Sequence, residues 1–152
     1  MLDRTDRRIL ALLQEDGRMS NQELSERVGL SPTPCLRRLR KLEESGVIRG
    51  YAAIVDQKAY GLPLNVYVFV RLTQQAEAQI TEFESAVAGW HEVVECCLMT
   101  GRQDYLLRVV VDGLEGYERF LKQKMTRLKC VQSVESNFAL DVIKKKTALP
   151  PL

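Results

Sequence analysis

Apolar residues recur at helical spacing through the first third of the chain, and they alternate with other residues over shorter stretches further on. In residues 3–16 the apolar positions lie three and four apart, which predicts an amphipathic helix with Asp3 at its start. Residues 64–72 alternate instead, with valines and leucines on one side and Tyr67 and Phe69 on the other, which predicts a β-strand. The change of period divides the chain into a helical part and a part with a sheet.

Two short helices separated by a turn follow the first helix, within residues 20–46. Ser20 and Glu23 have the spacing of a capping box, and Gly29 is suited to end that helix in the left-handed conformation. The next helix is expected to begin at Ser31, with prolines in its first turn, where proline is tolerated. Its apolar residues share one face and its basic residues the other, as is typical of a helix-turn-helix whose second helix meets DNA.

The candidate DNA contacts lie on the outer face of this recognition helix. They are Ser31, Thr33, Arg37, Arg38 and Lys41. The two hydroxyls would place the helix against phosphates, and the three basic side chains would contact bases or phosphates. Residues 1–50 contain ten Lys or Arg and eight Asp or Glu, so the whole net charge of +2 lies in this half. A local basic patch suits DNA binding, although a basic helical face is often merely solvated.

The second part of the chain predicts the order βαββαβ, which is the ferredoxin-like unit. After the first strand the expected elements are a helix at 77–88, strands at 92–99 and 105–111, a helix capped by Asp112 and Glu115, and a strand at about 131–142. Two helices cover only one side of a four-stranded sheet, so the other side would be an apolar patch on a monomer. A partner sheet is the simplest cover, which predicts a homodimer; packing of the N-terminal domain on that side is the alternative.

The two parts are joined by a stretch whose structure the sequence leaves open. Residues 47–56 are rich in β-formers and could form a wing hairpin or a single linking strand, with Arg49 and Tyr51 as further candidates for DNA contacts. Gly61 and Pro63 indicate a domain boundary. The predicted fold class is α+β. Its parts are a helix-turn-helix domain at 1–50, a linker strand at 51–63 and a βαββαβ domain at 64–152.

No grouping typical of catalysis or of metal binding stands out. His91 is the single histidine, no nucleotide-binding or hydrolase motif occurs, and the four cysteines form neither a CxxC pair nor a Cys/His cluster. We therefore expect reduced thiols, no cofactor, no metal and no enzyme activity. No apolar run has the length of a membrane span and the N-terminus lacks a signal-peptide pattern, so the expected location is the cytoplasm, without a membrane partner.

The connection between the strands at 92–99 and 105–111 is the candidate ligand site. Gly101 lets the backbone turn sharply and present amides to an anion, and Asp104 offers a negative charge three residues later. An α-amino acid needs both of these partners. Gly and Asp are also ordinary turn residues, so a plain turn is the alternative.

Four stretches of the chain resemble the Lrp/AsnC, or feast/famine, family of transcription regulators. They are LDRTDRRILALLQEDGR, NQELSERVGLSPTPCLRRLRKLEESGVIRGY, MTGRQDYLLRV and SNFALDVIKKKTALP. The resemblance implies a winged helix-turn-helix, a linker and a domain for regulation of amino-acid metabolism, in dimers that often assemble into octamers. It also implies that an amino acid binds where dimers meet, along a loop that maps here onto Met99, Thr100, Gly101, Arg102, Asp104 and Tyr105.

The function expected on these grounds is sequence-specific binding of double-stranded DNA by a transcription regulator that responds to a small amino acid. Two alternatives stay open. One is a nucleoid-organising protein of the same fold without an effector, and the other is a small enzyme built on the ferredoxin-like half.

Overall fold

The computed structural model describes residues 1–150, which form two compact units. One unit holds Met1–Ile54 and the C-terminal residues from Ile143 onward, and the other holds Val55–Val142. The elements are α1 (Arg4–Glu15), α2 (Asn21–Val28), α3 (Pro32–Glu44), β1 (Leu64–Leu72), α4 (Glu77–Ala88), β2 (Val93–Leu98), β3 (Tyr105–Val111), α5 (Leu114–Gln123), a 3₁₀ turn (Met125–Arg127) and β4 (Val131–Phe138).

The N-terminal unit is built from α1, α2 and α3 around a small core. Its fully buried apolar residues are Ile9, Leu24, Cys35 and Leu42. The predicted capping box of α2 is confirmed, since the Ser20 hydroxyl accepts the amide of Glu23 and the Glu23 carboxylate accepts the amide of Ser20. Gly29 ends α2 with a φ of 75°, the left-handed conformation expected of it.

The second unit is a four-stranded antiparallel sheet with the strand order β2-β3-β1-β4 and two helices on one side. Val66, Val68 and Val70 point to the helix side, where they are fully buried against residues of α4 and α5. Tyr67 and Phe69 lie on the opposite side and are half-buried. The predicted ferredoxin-like order of elements is therefore confirmed.

Some local predictions were wrong. Ser31 stands at the N-cap of α3, but its side chain makes no capping bond. The N-cap of α5 is Gly113, not Asp112, because the Asp112 carboxylate pairs with Arg119 at 3.2 Å and leaves the helix amides uncapped. The last strand ends at Phe138, where its pairing with β1 ends.

Residues 51–63 contain no strand. A turn occupies the middle of the segment, where the Asp56 carbonyl accepts the amide of Tyr60 and the Lys58 carbonyl accepts that of Gly61. A β-rich sequence forms a strand only where another strand offers its hydrogen bonds, and within one chain no such strand pairs with this stretch.

Candidate nucleic-acid interface and ligand loop

α3 presents three unpaired cations on the side away from the core. Cys35 and Leu42 anchor the helix in the core of the N-terminal unit, and this orientation leaves Arg37, Arg40 and Lys41 exposed. None of the three forms an ion pair within residues 1–150, and Arg40 was not among the predicted contacts. Exposed ammonium and guanidinium groups without a carboxylate partner are available to bind DNA phosphates or base edges.

The start of α3 is also open to solvent. Ser31 and Thr33 are exposed, and the Ser31 hydroxyl is not used as a cap. The Asn21 side chain donates to the Pro32 carbonyl at 3.0 Å, which ties the start of α3 to the start of α2. Pro32 and Pro34 carry no backbone N–H, so this helix start offers a phosphate oxygen the Thr33 amide and the two hydroxyls.

Arg38 is used inside the unit, unlike the exposed Arg37, Arg40 and Lys41. Its Nη1 lies 2.6 Å from an Asp3 oxygen and 2.8 Å from an Asp6 oxygen, so it joins α3 to the start of α1. Hydrogen bonding to Asp3 and then to Asp6 raises the pKa of Arg38, which keeps the cation charged. Its part in DNA binding stays a prediction, and the ion pairs with residues more than thirty positions away had no signal in the sequence.

Tyr51 makes a contact within the unit that the sequence did not predict, and its DNA contact stays a prediction. Its hydroxyl donates to a Glu43 carboxylate oxygen at 2.9 Å, and its ring lies close to Gly17. Burial first, and then the Glu43 carboxylate, raises the pKa of Tyr51 to about 12. The residue therefore fastens the chain that leaves α3 back onto the N-terminal unit.

The loop between β2 and β3 is closed at its base and exposed at its tip. The Met99 amide donates to the Asp104 carbonyl at 2.8 Å, while Thr100, Gly101 and Arg102 are exposed. Gly101 has a φ of 113°, which side-chain-bearing residues rarely adopt. The sharp turn predicted at this glycine is confirmed.

Asp104 is buried and holds the loop to the end of β1. Its two carboxylate oxygens accept the Leu72 amide and the Gln75 side-chain amide, each at 2.7 Å, and its own amide donates to the Val70 carbonyl. Each oxygen keeps a free lone pair, so the carboxylate can accept further hydrogen bonds. Its first role, however, is in the fold. Beside it, the Gln103 side-chain oxygen is buried without a hydrogen-bond partner within the described residues.

A cleft of about 390 Å³ opens at the foot of this loop, between α4 and β2. It is lined by Glu84, Val87, Ala88, Cys96, Leu98 and Tyr105. Leu98 and Tyr105 are the two strand ends that flank the loop. The Tyr105 hydroxyl donates to a Glu84 oxygen at 2.8 Å, and burial, followed by this bond, raises the pKa of Tyr105. The cleft is mostly apolar, with a carboxylate at its exposed edge. The sequence reasoning missed it because α4 and β2 meet only in the folded chain.

The remaining chemistry is sparse. Burial is the main cause that raises the pKa of Cys96 to about 11, so its thiol is protonated at neutral pH. All four cysteines are free, with Cys35 and Cys130 buried. Within residues 1–150 no cluster of His, Cys, Asp and Glu is suited to a metal ion, and no helix is both long and apolar enough to span a membrane.

An exposed basic helix in one unit and a loop with an adjoining cleft in the other are the arrangement expected of a two-part DNA-binding regulator. Residues 2–49 match the family model for a winged helix-turn-helix DNA-binding domain, and residues 65–149 match the Lrp/AsnC ligand binding domain. The chain belongs to the Lrp/AsnC family of transcription regulators.

Similar proteins extend along nearly the whole chain. A leucine-responsive regulatory protein of Rhizobium meliloti is 41% identical over 94% of this chain and 92% of its own length, and one of Klebsiella pneumoniae is 42% identical over 97% and 90%. Among solved structures, a transcriptional regulator from Neisseria meningitidis in complex with L-Met is 41% identical, with a TM-score of 0.94 and coverage of 99% and 97%. An AsnC family regulator from Agrobacterium tumefaciens is 40% identical, with a TM-score of 0.93 and coverage of 98% and 97%.

Proposed function

We propose that this protein regulates transcription in the cytoplasm as a homodimer that binds double-stranded DNA through α3 and responds to an amino acid bound at the β2–β3 loop. The observation that carries the proposal is the set of exposed, unpaired cations on α3, Arg37, Arg40 and Lys41, in a unit that matches a DNA-binding domain. The second matched domain binds ligands, and both matches favour regulation over catalysis.

The DNA contacts are tested on α3 itself. We expect Arg37→Ala and Lys41→Ala to weaken binding to duplex DNA without unfolding the unit, because both side chains are exposed. A phosphate contact would lower the slope of log affinity against log salt by about 0.9, on every sequence. A guanine contact would instead cost about 1–3 kcal/mol at particular base pairs. Fluorescence anisotropy over a salt series distinguishes the two, with the exposed Lys129→Ala of the second unit as the control.

Arg38 needs a different experiment, since its removal frees Asp3 and Asp6 from their ion pairs. We expect Arg38→Ala to lower the melting temperature of the N-terminal unit. DNA affinity measured well below that temperature then separates the two roles. An affinity equal to that of the wild type would assign Arg38 to the fold alone, whereas a loss in the folded variant would support a direct contact.

The proposed dimer uses the side of the sheet that faces away from the helices. Tyr67 and Phe69 of β1 share this outer face with Leu106 of β3, and all three are half-buried. Apolar side chains in a row on a sheet favour a second sheet as cover.

We expect Phe69→Lys to produce monomers in sedimentation at micromolar concentration. Leu114→Lys, an exposed position on α5, should leave assembly unchanged. A monomeric wild-type chain would contradict the proposal. Assembly beyond the dimer, such as an octamer, rests on the family resemblance.

The effector would place its carboxylate on the amides around Gly101 and its side chain in the apolar cleft below. A zwitterion also needs a counter-charge for its ammonium, and two carboxylates are near: Asp104, which keeps free lone pairs, and Glu84, at the exposed edge of the cleft. The similar regulator from Neisseria meningitidis was solved with L-Met, so methionine is the first amino acid to test.

Calorimetry of the twenty amino acids tests the site. We expect Gly101→Val to abolish the binding heat, because valine resists the φ of 113° that the loop needs. Gly113→Val is the matched control, since its backbone is extended and a Cβ there meets nothing within 4 Å. Glu84→Gln keeps an acceptor for Tyr105 and removes only the charge, so a loss of affinity in this variant would assign the ammonium to Glu84. If no amino acid binds the wild-type chain, the nucleoid-organising alternative without an effector would replace this proposal.

A further inference from the structure

The C-terminal segment carries a second basic patch in the N-terminal unit. Lys144, Lys145 and Lys146 are consecutive and exposed, and none of them is paired with a carboxylate in the part of the chain that the structure describes. From Ile143 onward the chain belongs to the same compact unit as the helix-turn-helix. The Leu149 amide donates to the Gln14 side chain of α1 at 2.7 Å, which fastens the segment there.

This placement changes the charge of the two units. Residues 1–54 contain ten Lys or Arg and eight Asp or Glu, and residues 143–152 add three lysines and no acid, so the N-terminal unit carries a net +5. Residues 55–142 contain nine basic and twelve acidic residues, which gives −3. The segment therefore contributes more than half of the excess positive charge in the unit that contains α3. A chain with a net charge of only +2 is strongly polarised between its units.

The local surroundings leave these lysines available. Glu15 and Asp16 lie next to Gln14 in sequence, yet neither forms an ion pair with the segment, and the Asp16 carboxylate accepts the Arg18 amide instead. A chain spans at most about 3.6 Å per residue, so Lys146 lies within roughly 11 Å of the point where Leu149 is held. The backbone at Lys146 thus stays near α1, and all three lysine side chains are exposed to solvent.

We infer that Lys144, Lys145 and Lys146 form a second DNA contact, which binds phosphates flanking the site that α3 recognises. Lysine suits this task, because it is a strongly hydrated point charge on a flexible stem and requires no fixed geometry. No helix or strand orients the three side chains, so they would add affinity on every sequence and no base preference. The inference rests on the proposed function, since it requires that the N-terminal unit binds DNA.

The test uses the full chain with all three lysines replaced by glutamine, K144Q/K145Q/K146Q, and a mixed-sequence DNA duplex. Anisotropy titrations at several salt concentrations give the slope of log affinity against log salt. Each engaged lysine contributes about 0.9 to the slope, so the triple variant should lose up to about 2.7. Over a fourfold rise in salt, the wild type would then lose up to roughly 40-fold more affinity than the variant. Replacement by arginine, K144R/K145R/K146R, keeps the charge and should keep the slope.

A second triple variant separates location from total charge. Lys58, Arg127 and Lys129 are exposed cations of the second unit outside any ion pair of the described residues, and K58Q/R127Q/K129Q changes the net charge by the same amount. A lower salt slope in K144Q/K145Q/K146Q, with a wild-type slope in K58Q/R127Q/K129Q, supports the inference. Equal slopes in the two triple variants, or a wild-type slope in K144Q/K145Q/K146Q, would overturn it. If Lys41→Ala still lowers the slope in that case, DNA binding by α3 stands; if the wild-type chain binds no duplex, the proposed function fails as well.

Discussion

The two units of this protein are stabilised in different ways. The N-terminal unit has four buried apolar residues and depends on caps and the Arg38 ion pairs to hold three short helices. The second unit buries fourteen residues between the sheet and its helices. Its β2–β3 loop is fixed by hydrogen bonds to β1, a strand that is far away in sequence. The candidate DNA-binding surface thus stands on a small core and the candidate ligand loop on a large one. Because stability follows the amount of buried surface, the two functions should fail under different conditions.

The largest expected effect compares one substitution in the two cores. Leu24 and Leu107 are both fully inaccessible to solvent, and Leu→Ala at either position should cost about 2–5 kcal/mol. In the small unit this cost should unfold the helix-turn-helix and abolish DNA binding. In the sheet unit the same cost should leave the fold intact at 25 °C. Far-UV circular dichroism follows both units.

The single tryptophan reports the second unit separately, since Trp90 packs edge-to-face on Phe120 with ring centres 5.4 Å apart. We expect Leu24→Ala to retain the wild-type fluorescence transition and Leu107→Ala to shift it. One shared transition for both signals in both variants would mean that the units unfold together, and the contrast between them would be lost.

The second expected effect concerns the way the loop is fixed. Asp104→Ala leaves the buried amide of Leu72 without its acceptor, which should cost about 1–3 kcal/mol in the second unit. Asp104→Asn keeps one acceptor oxygen and should cost less. Denaturation monitored by Trp90 fluorescence measures both variants, and hydrogen exchange at Leu72 should be faster in the alanine variant. Unchanged stability in Asp104→Ala would show that the carboxylate is dispensable to the fold, which favours a direct role in binding the effector.

The difference between contacts among neighbouring residues and contacts between residues far apart in sequence explains what the sequence could predict. Signals confined to a few neighbouring residues gave the caps of α1 and α2, the turn at Gly29 and the order of elements correctly, because each depends on contacts within one or two turns of chain, although the caps predicted at Ser31 and Asp112 were wrong. Partners far apart in sequence could not be inferred. Arg38 bonds to residues 32 and 35 positions away and Asp104 to one 32 positions away, and the sequence, which predicts a DNA contact for Arg38 and an effector contact for Asp104, carries no signal of these bonds. The cleft beside Tyr105 was missed for the same reason.

The smallest expected effect is a pH dependence at the ion pair between Glu92 and Lys124, which lie 2.5 Å apart in the second unit. Burial acts to raise the pKa of Glu92, but the hydrogen bond and charge of Lys124 outweigh it, so the pKa lies below the ordinary 4.5. The folded state therefore holds the charged carboxylate more strongly than the unfolded chain does. This contribution is fully present above pH 4.5 and is lost as the pH falls through the lower, folded-state value.

Glu92→Gln should therefore destabilise the second unit at pH 7 by about 0.2–1 kcal/mol, the range for a partly exposed pair. The difference from the wild type should shrink as the pH falls below about 4.5, because both proteins then carry a neutral side chain at this position. The measurement is urea denaturation at neutral and acidic pH, monitored by Trp90 fluorescence, which reports the second unit. The N-terminal unit has its own acid response at Asp3, because hydrogen bonds from the Asp6 amide and from Arg38 lower the pKa of Asp3, and the Trp90 signal leaves this response out. A difference that stays constant with pH would mean that Glu92 acts through packing and not through its charge.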